Sequence, residues 1–224
     1  MMRTIFVGDV HGCARQLAEL LKAVDYRPGE DRLLLTGDAF SRGPQPLEVW
    51  RLIQDQGADM VLGNHDARLL KQLQRLARGK DPKYRRPEQR QTVEALLPAA
   101  TRLLPWLELR PLLIETGEYI LVHAGVHPRR GPAGTSRDEF LEIRFWPPDG
   151  TPDQQRWHDC YTQTDRLLVF GHDALGGLVH KRRSDGTTYL MGLDSGCVYG
   201  NQLSAYILEE DALVQVENDA EAIF

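Results

Sequence analysis

The 224-residue sequence has no apolar run that approaches the roughly 20 residues needed to span a bilayer, so a membrane protein is not expected. Cysteine is scarce as well. Cys13, Cys160 and Cys197 are odd in number and widely spaced, which favours a reducing compartment over a disulfide framework. Positive charge is not in excess either, and the formal net charge of −5 argues against bulk electrostatic binding to nucleic acid or anionic membranes.

A leader sequence is also not expected. The first predicted strand starts at Arg3, which leaves no room for the charged and apolar regions of a signal peptide. Together with the few, unpaired cysteines, this predicts a cytoplasmic protein.

The composition is that of an ordinary globular chain, with 42% hydrophobic and 26% charged residues. A chain of this length can fold as one domain, and we predict a single domain over residues 1–224. Within it, a helical and loop insertion is expected at about 79–110 and a loop-rich segment at about 125–165. Prolines punctuate the first region, and glycine and proline are frequent in the second.

The amino-terminal third alternates apolar strands with amphipathic helices. Strands are predicted at 3–8, 32–37 and 59–62, and each is followed by apolar residues spaced three and four apart, as on one face of a helix. Repeated strand–helix units with short connections predict a parallel sheet covered by helices. Ligands of such sheets collect at the carboxyl ends of the strands.

After the amino-terminal third, the predicted elements no longer alternate between strand and helix. A second helical region is expected at 88–104, between Pro87 and Pro105, and a short helix near 136–144. Two strands are expected within 111–123. The last third is predicted to be a β meander, with strands at 167–171, 178–183, 187–193, 203–209 and 212–217.

Five of the apolar runs are followed by a carboxylate, an imidazole or an amide, with a glycine one or two residues away. The five segments are Gly8-Asp9-Val10-His11-Gly12, Gly37-Asp38, Gly63-Asn64-His65-Asp66, His123-Ala124-Gly125 and Gly171-His172. Any one of them is explained by ordinary turn chemistry. Independent turns, however, have no reason to supply a complete set of metal ligands. The five together therefore predict a metal centre and an enzyme.

The donor types predict which metals bind. Asp9 and His11 are two residues apart, so in an extended strand they point to the same side and form half of a site. Asp38 can bridge two ions with its two carboxylate oxygens. The second site is completed by Asn64, His123 and His172. Mixed oxygen and nitrogen donors suit two divalent transition metal ions, with Mn²⁺ expected and Fe, Zn²⁺ or Co²⁺ as alternatives.

Two residues beside these ligands predict phosphoryl chemistry. A pair of ions about 3.5–4 Å apart activates a water molecule and neutralises a phosphoryl oxygen. Arg42, four residues after Asp38, can hold a phosphate with two parallel hydrogen bonds. His65 is placed to protonate a leaving oxygen. Asp38, Arg42 and His65 are therefore the predicted catalytic residues of a phosphohydrolase.

In order and spacing, the motifs resemble those of the phosphoprotein phosphatase branch of the calcineurin-like metallophosphoesterases: GDxHG, GDxxDRG, GNHE or GNHD, HAG and GH. The resemblance implies an α/β fold, a sandwich of two mixed β-sheets flanked by helices, with a dinuclear centre at their shared edge. It implies the same six metal ligands, phosphate binding by Arg42 and acid catalysis by His65. It also implies that Arg144 is a second phosphate-binding arginine.

Two departures from the protein-phosphatase pattern indicate a narrower branch. Ser41 stands where protein phosphatases carry an aspartate that orients the acid histidine, so His65 is expected to have a lower proton affinity. Asp66 ends the third motif, where many protein phosphatases have glutamate. These features, with the segment from Leu193 to Gly200, resemble the symmetrical diadenosine tetraphosphatase branch.

Three functions follow as hypotheses. The leading one is symmetrical hydrolysis of dinucleoside polyphosphates, with diadenosine tetraphosphate split into two ADP, a good leaving group that needs only a weak acid. The alternative is a protein serine/threonine or dual-specificity phosphatase. A remote third is a non-catalytic metal-binding scaffold, which would require missing ligands. Nuclease relatives commonly carry GHxH, whereas Ala174 replaces the second histidine here, so DNA is not an expected partner.

A basic segment at residues 80–90, called here the basic loop, is the remaining feature. It carries Lys80, Lys83, Arg85, Arg86 and Arg90 around Tyr84. It is either a solvated connector or a clamp that neutralises the distal phosphates of a long polyanion. The predicted substrate-binding residues are Arg42, Asn64, Arg144, Lys83, Arg85 and Arg86.

Overall fold

Two five-stranded β-sheets packed face to face form the framework. The computed structural model describes residues 2–148, 150, 154–161 and 165–219, so parts of the predicted loop-rich segment lie outside the described residues. The strands are β1 (Thr4–Val7), β2 (Arg32–Leu35), β3 (Asp59–Met60), β4 (Leu113–Glu115), β5 (Tyr119–Val122), β6 (Phe145–Trp146), β7 (Gln155–Arg156), β8 (Leu167–Phe170), β9 (Val179–Arg182), β10 (Thr188–Gly192), β11 (Gln202–Ile207) and β12 (Ala212–Glu217). The α-helices are α1 (Ala14–Ala23), α2 (Pro46–Asp55), α3 (Asn64–Ala77), α4 (Pro87–Leu96), α5 (Ala100–Glu108) and α6 (Arg137–Glu142).

The first sheet has the order β12-β11-β1-β2-β3. Strands β1, β2 and β3 run parallel, as the strand–helix alternation predicts, and β11 joins β1 antiparallel. The second sheet has the order β4-β5-β8-β10-β9, with three parallel strands in the middle and antiparallel strands at both edges. Strands β6 and β7 form a separate pair. This is the predicted sandwich of two mixed sheets flanked by helices.

Alternation along the strands separates three apolar layers. In β1, Ile5 and Val7 face the helices, whereas Phe6 faces the other sheet, because successive strand side chains point to opposite sides. Between the sheets, the Phe6 ring meets the Tyr119 ring edge-on, with centroids 4.9 Å apart. The outer face of the second sheet packs against a third cluster that includes Trp157. Both faces of each sheet are therefore covered.

The prediction that Pro105 bounds the second helical region was wrong. Helix α5 continues through Pro105 to Glu108. Proline has no N–H to donate to the carbonyl of Thr101, which weakens the helix at that point. The fully buried side chains of Leu103 and Leu107 lie on either side of it and hold the helix on the core.

The prediction of a β meander in the last third was also wrong. Hairpins β9–β10 and β11–β12 are present, but they belong to different sheets, and β8 pairs in parallel with β10 rather than with β9. All four residues of β8 are buried. A strand buried on both faces has no polar side to indicate its neighbours, so the apolar pattern cannot reveal its partner.

None of the described helices combines the length and apolar character that crossing a lipid bilayer requires.

Candidate metal centre

The predicted ligands converge where the carboxyl ends of both sheets meet. Ligand atoms of Asp9, His11 and Asp38 lie within 4.8 Å of one another, and so do those of Asp38, His123 and His172. These side chains follow β1, β2, β5 and β8, and all of them are buried. The sixth predicted ligand, Asn64, is the buried first residue of α3, next to His65, whose amide donates to Asp38 Oδ1 at 2.8 Å.

Asp38 is shared by the two groups. Its Oδ2 atom is 3.7 Å from His11 Nε2 and 3.5 Å from His123 Nε2. Its backbone N–H donates to Asp66 Oδ2 at 2.7 Å, and Asp66 also accepts from Gly63 N at 3.3 Å. Asp66, the last residue of the third motif, thus joins the loop after β2 to the start of α3.

Several site residues have a left-handed backbone. The φ angles are 46° at His11, 51° at Asp38, 73° at Arg42 and 73° at His172. Residues other than glycine rarely adopt this conformation, which persists only where surrounding contacts hold it and is enriched at functional sites. One such contact is the hydrogen bond from His11 N to Asp38 O, at 2.9 Å.

Thr36 orients two ligands, and the sequence reasoning missed it. Its hydroxyl donates to Asp9 Oδ1 at 2.8 Å, and its carbonyl lies 2.8 Å from His123 Nδ1. Because a carbonyl only accepts, the proton of His123 is on Nδ1 and the Nε2 lone pair is left for a metal. The signal that could have identified Thr36 is its position at the end of β2, two residues before Asp38.

Three polar atoms of the predicted second site are buried without a hydrogen-bond partner in the described part of the chain. They are Asn64 Oδ1, His123 Nε2 and His172 Nε2. An unpaired buried polar atom is costly, so each such atom in a native protein requires an explanation. A divalent cation bound among them would provide it, and the donor set therefore fits a metal centre.

Burial also shifts the ionisation of the ligands. It raises the pKa of Asp38 to about 7 and the pKa of Asp9 well above its usual range, the latter with added repulsion from Asp194 and Asp38. Burial lowers the pKa of His123 to about 4 and that of His172 further. Neutral imidazoles with free lone pairs beside crowded carboxylates are the state that a cation stabilises.

Glycines permit the close approach of the carboxylates. A Cβ atom at Gly63 would overlap Asp38 Oδ1, and a Cβ atom at Gly171 would overlap Asp9 Oδ1. The glycines beside the ligands are therefore needed for space at these two positions.

Arg42 and His65 lie together at the edge of the centre. Arg42 Nη2 is 3.0 Å from His65 Nε2, and since a guanidinium only donates, the ring nitrogen accepts. Arg42 also donates to the hydroxyl of Tyr199, a contact that the sequence reasoning missed. Burial, followed by the positive charges of Arg42 and Arg68, lowers the pKa of His65 to about 3.

Ser41 lies near His65 but makes no hydrogen bond to it. Its hydroxyl is buried and has no hydrogen-bond partner among the described residues, so it does not orient His65. The lower proton affinity expected for His65 agrees in direction with its shifted pKa, but burial is the largest cause.

Arg144 stands on the other side, beside His172. Its Nη2 donates to the carbonyl of His172 at 3.4 Å, and its Nε is 3.6 Å from Asp173 Oδ1. The phosphate-binding roles of Arg144 and Arg42, and the role of His65 as the acid, stay predictions.

The basic loop is shorter than predicted, because α4 begins at Pro87, a residue suited to the first turn of a helix, and Arg90 therefore lies on that helix. Arg85 and Arg86 line a cavity of about 220 Å³ that Arg42 and His65 also line. Lys83 lines a neighbouring cavity, which Arg85 also lines. Two of the three predicted substrate-binding cations of the loop, Arg85 and Arg86, are therefore on the His65 side of the centre.

Asp194 is a further residue that the sequence reasoning missed. It follows β10 as the other ligands follow their strands, is 5% exposed and lies close enough to raise the pKa of Asp9. Gly196 N donates to its Oδ1 at 3.1 Å. Its position directly after the predicted strand 187–193 was the signal available.

Comparison with known proteins agrees with this geometry. Residues 2–211 match the sequence profile of the calcineurin-like phosphoesterases. A symmetrical bis(5'-nucleosyl)-tetraphosphatase of Aeromonas salmonicida is 31% identical, over 95% of this chain and 97% of its own length. One of Aromatoleum aromaticum is also 31% identical, over 94% and 95%. These similarities confirm the predicted family.

Solved structures agree as well. A crystal structure provisionally assigned as a diadenosine tetraphosphatase has 32% identity and a TM-score of 0.76, covering 97% of this chain and 94% of that one. A protein serine/threonine phosphatase from Saccharomyces cerevisiae, at 14% identity and a TM-score of 0.54, covers 98% of this chain and 80% of that one and shares the fold alone. The predicted fold is confirmed.

We expect Asp38→Asn to lose most divalent-metal binding, because an amide cannot supply the anionic oxygen that both ligand groups face. For the wild type, Mn²⁺ at 100 times its dissociation constant should stabilise the fold by about 2.7 kcal/mol. Differential scanning fluorimetry after chelation should show a Mn²⁺-dependent rise in Tm that is nearly absent from the variant. Asp25→Asn makes the same change at an exposed carboxylate and should keep the full rise. An equal rise in Asp38→Asn would contradict the shared role of this residue.

Proposed function

We propose, since the chain belongs to the calcineurin-like phosphoesterase family, that it hydrolyses dinucleoside polyphosphates and splits diadenosine tetraphosphate symmetrically into two ADP. The observation that carries the proposal is the 31% identity to a symmetrical tetraphosphatase, which extends over 95% of this chain and 97% of that protein. The convergence of the predicted ligands at one buried centre supports it. It also argues against a scaffold that lacks ligands.

The proposed cofactor is a pair of divalent transition metal ions. Asp9, His11 and Asp38 would hold one ion. The other would be held by Asp38, Asn64, His123 and His172. Mn²⁺ is favoured because hard oxygen donors are mixed with imidazole nitrogens. When bound, such ions make water a better nucleophile and offset the charge of the phosphoryl group.

Two arginines are assigned to the substrate. Arg42 reaches the centre from the loop after β2, and Arg144 reaches it from beyond α6, next to the carbonyl of His172. Guanidinium groups placed on two sides can hold phosphate oxygens so that water attacks in line. The water oxygen forms a bond to phosphorus, and the bond to the central bridging oxygen breaks. That oxygen keeps the electron pair and becomes the terminal oxygen of the departing ADP.

The state of His65 favours this leaving group. With its pKa lowered to about 3, His65 is neutral near pH 7 and is a weak source of protons. A phosphoanhydride releases an already acidic group that needs little protonation, whereas the alkoxide released from a phosphoserine needs a strong acid. This state of His65 supports the proposal of a polyphosphate substrate rather than a phosphoprotein.

The basic loop is proposed to bind substrate phosphates. Arg85 and Arg86 of this loop line the same cavity as Arg42 and His65. Lys83 lines a neighbouring cavity, which Arg85 also lines. Cations in this arrangement neutralise phosphates beyond the reacting one and add affinity without taking part in the reaction.

We also place the reaction in the cytoplasm. Cys13, Cys160 and Cys197 are all unpaired in the structure, which suits a reducing compartment.

The product profile tests the proposal. With Mn²⁺, diadenosine tetraphosphate should yield ADP as the sole nucleotide, because attack is symmetrical, and a chelator should abolish turnover. Chromatography of the products, compared with rates on a phosphopeptide and ATP, measures this. Formation of AMP with ATP, or faster hydrolysis of the phosphopeptide, would contradict the assignment.

His65→Ala should affect substrates unequally. On phenyl phosphate, whose leaving group needs a proton, kcat should fall by up to about 10²-fold, the low end of the contribution of a general acid, because little of His65 is protonated near pH 7. On diadenosine tetraphosphate the loss should be smaller, and metal content should stay at the wild-type level. Steady-state kinetics on both substrates measure the difference. Equal losses would mean that His65 is not the acid.

Neutralising the basic loop should separate binding from catalysis. In the variant Lys83→Gln with Arg85→Gln and Arg86→Gln, KM for diadenosine tetraphosphate should rise roughly tenfold, since exposed ion pairs contribute up to about 1 kcal/mol each. Its kcat, and both constants for p-nitrophenyl phosphate, should stay near wild type. The control Lys22→Gln with Arg51→Gln and Arg102→Gln removes the same charge elsewhere on the surface. If the kinetic constants for both substrates changed to the same extent, or did not change, the loop would only connect α3 and α4.

A further inference from the structure

A second row of cations faces the basic loop from helix α3. Arg68, Lys71, Arg75 and Arg78 are spaced three, four and three residues apart, which places them on one face of the helix. All four line a groove of about 760 Å³ between α3 and the basic loop. That volume lies within the range of small-molecule sites, roughly 300–1,000 Å³.

The opposite wall of the groove is held in place. The backbone N–H of Lys83 donates to Gln72 Oε1 at 2.7 Å, and that of Arg85 donates to Gln89 Oε1 at 2.8 Å. Gln72 belongs to α3 and Gln89 to α4. The loop is thus fastened to both helices, so Lys83 and Arg85 face the α3 cations across a groove of defined width.

The groove has a large excess of positive charge. Its lining includes six cationic side chains and one carboxylate, Glu142, which pairs with Arg68 at 2.7 Å. In the described part of the chain, no carboxylate lies within 4 Å of the cationic groups of Lys71, Arg78, Lys83 or Arg85. Since the whole chain has a net charge of −5, this local excess marks a site for an anion.

The groove is continuous with the catalytic side of the centre. Arg68 and Arg85 line both the groove and the smaller cavity that contains His65. Helix α3 carries His65 near its start and Arg78 just after its end. At 1.5 Å per residue, the groove leads away from His65 for about 20 Å.

We propose that this groove is the binding site for the leaving nucleoside diphosphate. The inference rests on the proposed function. In an in-line displacement the leaving oxygen departs opposite the attacking water, toward the proton donor. His65 lines the cavity that shares Arg68 and Arg85 with the groove. The departing ADP therefore lies along α3, with its phosphates between Arg68 and Arg85. Tyr84, partly buried against the core, offers a ring surface to the base.

Lys71 and Arg78 provide the sharpest test. Both are exposed and neither contacts the centre, so Lys71→Gln with Arg78→Gln should fold normally. The matched control, Lys22→Gln with Arg102→Gln, removes one lysine and one arginine that do not line the groove. Calorimetric titration of the Mn²⁺-loaded proteins with ADP and with inorganic phosphate gives the dissociation constants, and inorganic phosphate is the comparison ligand that lacks the nucleoside and the second phosphate.

We expect the groove variant to bind ADP roughly three- to tenfold more weakly than wild type, because two of the six cations that line the groove are lost. Its affinity for inorganic phosphate should change far less, and the control should bind both ligands like wild type. Unchanged ADP affinity in the groove variant, equal weakening in the control, or no ADP binding to wild type would overturn the inference.

The same titrations separate this inference from the proposed function. If diadenosine tetraphosphate is not cleaved to ADP, yet ADP binding is weakened only in the groove variant, the groove binds a nucleoside diphosphate but the substrate assignment fails. If the tetraphosphate is cleaved to ADP and the groove variant binds ADP like wild type, the leaving group lies elsewhere.

Discussion

Every hydrogen-bonding group of Asp38 faces another part of the site. Its N–H donates to Asp66 at 2.7 Å, its carbonyl accepts from His11 N at 2.9 Å, and Oδ1 accepts from His65 N at 2.8 Å. Oδ2 faces the imidazoles of His11 and His123. One residue in a left-handed conformation thus ties three loops and both sheets together. Loss of any of these contacts would leave a buried polar or charged group without its partner, which is costly.

Carboxylates and cations are concentrated in two different parts of the molecule. The centre collects the carboxylates of Asp9, Asp38 and Asp194 in a buried position that raises the pKa of each. A short distance away, α3 and the basic loop collect cations that face solvent. Arg68 belongs to both environments, since it lines the groove and also lowers the pKa of His65. A cation at the centre and an anion in the groove would each offset the local excess.

Sequence patterns were sufficient for features that depend on near neighbours in the chain. The alternation of Ile5, Phe6 and Val7 defines a strand with two covered faces, and regular strand–helix units define a parallel sheet. Because parallel strands end at the same edge, Asp9 and Asp38 had to meet there. The same pattern of donor residues after apolar runs extended the ligand set to the second sheet, where His123 and His172 also follow strands.

Other features were decided only by tertiary structure. The order of β8, β9 and β10 could not be read from the chain, because strands buried on both faces look alike whichever strand lies beside them. The position of Asp194 beside Asp9 depends on that order. The pKa of His65 is set mainly by burial and by Arg42 and Arg68, more than by its neighbour Ser41. Residue spacing predicts contacts within one helix or strand. The contacts of Asp194 and of His65 join separate elements, and only the packing of those elements determines which side chains meet.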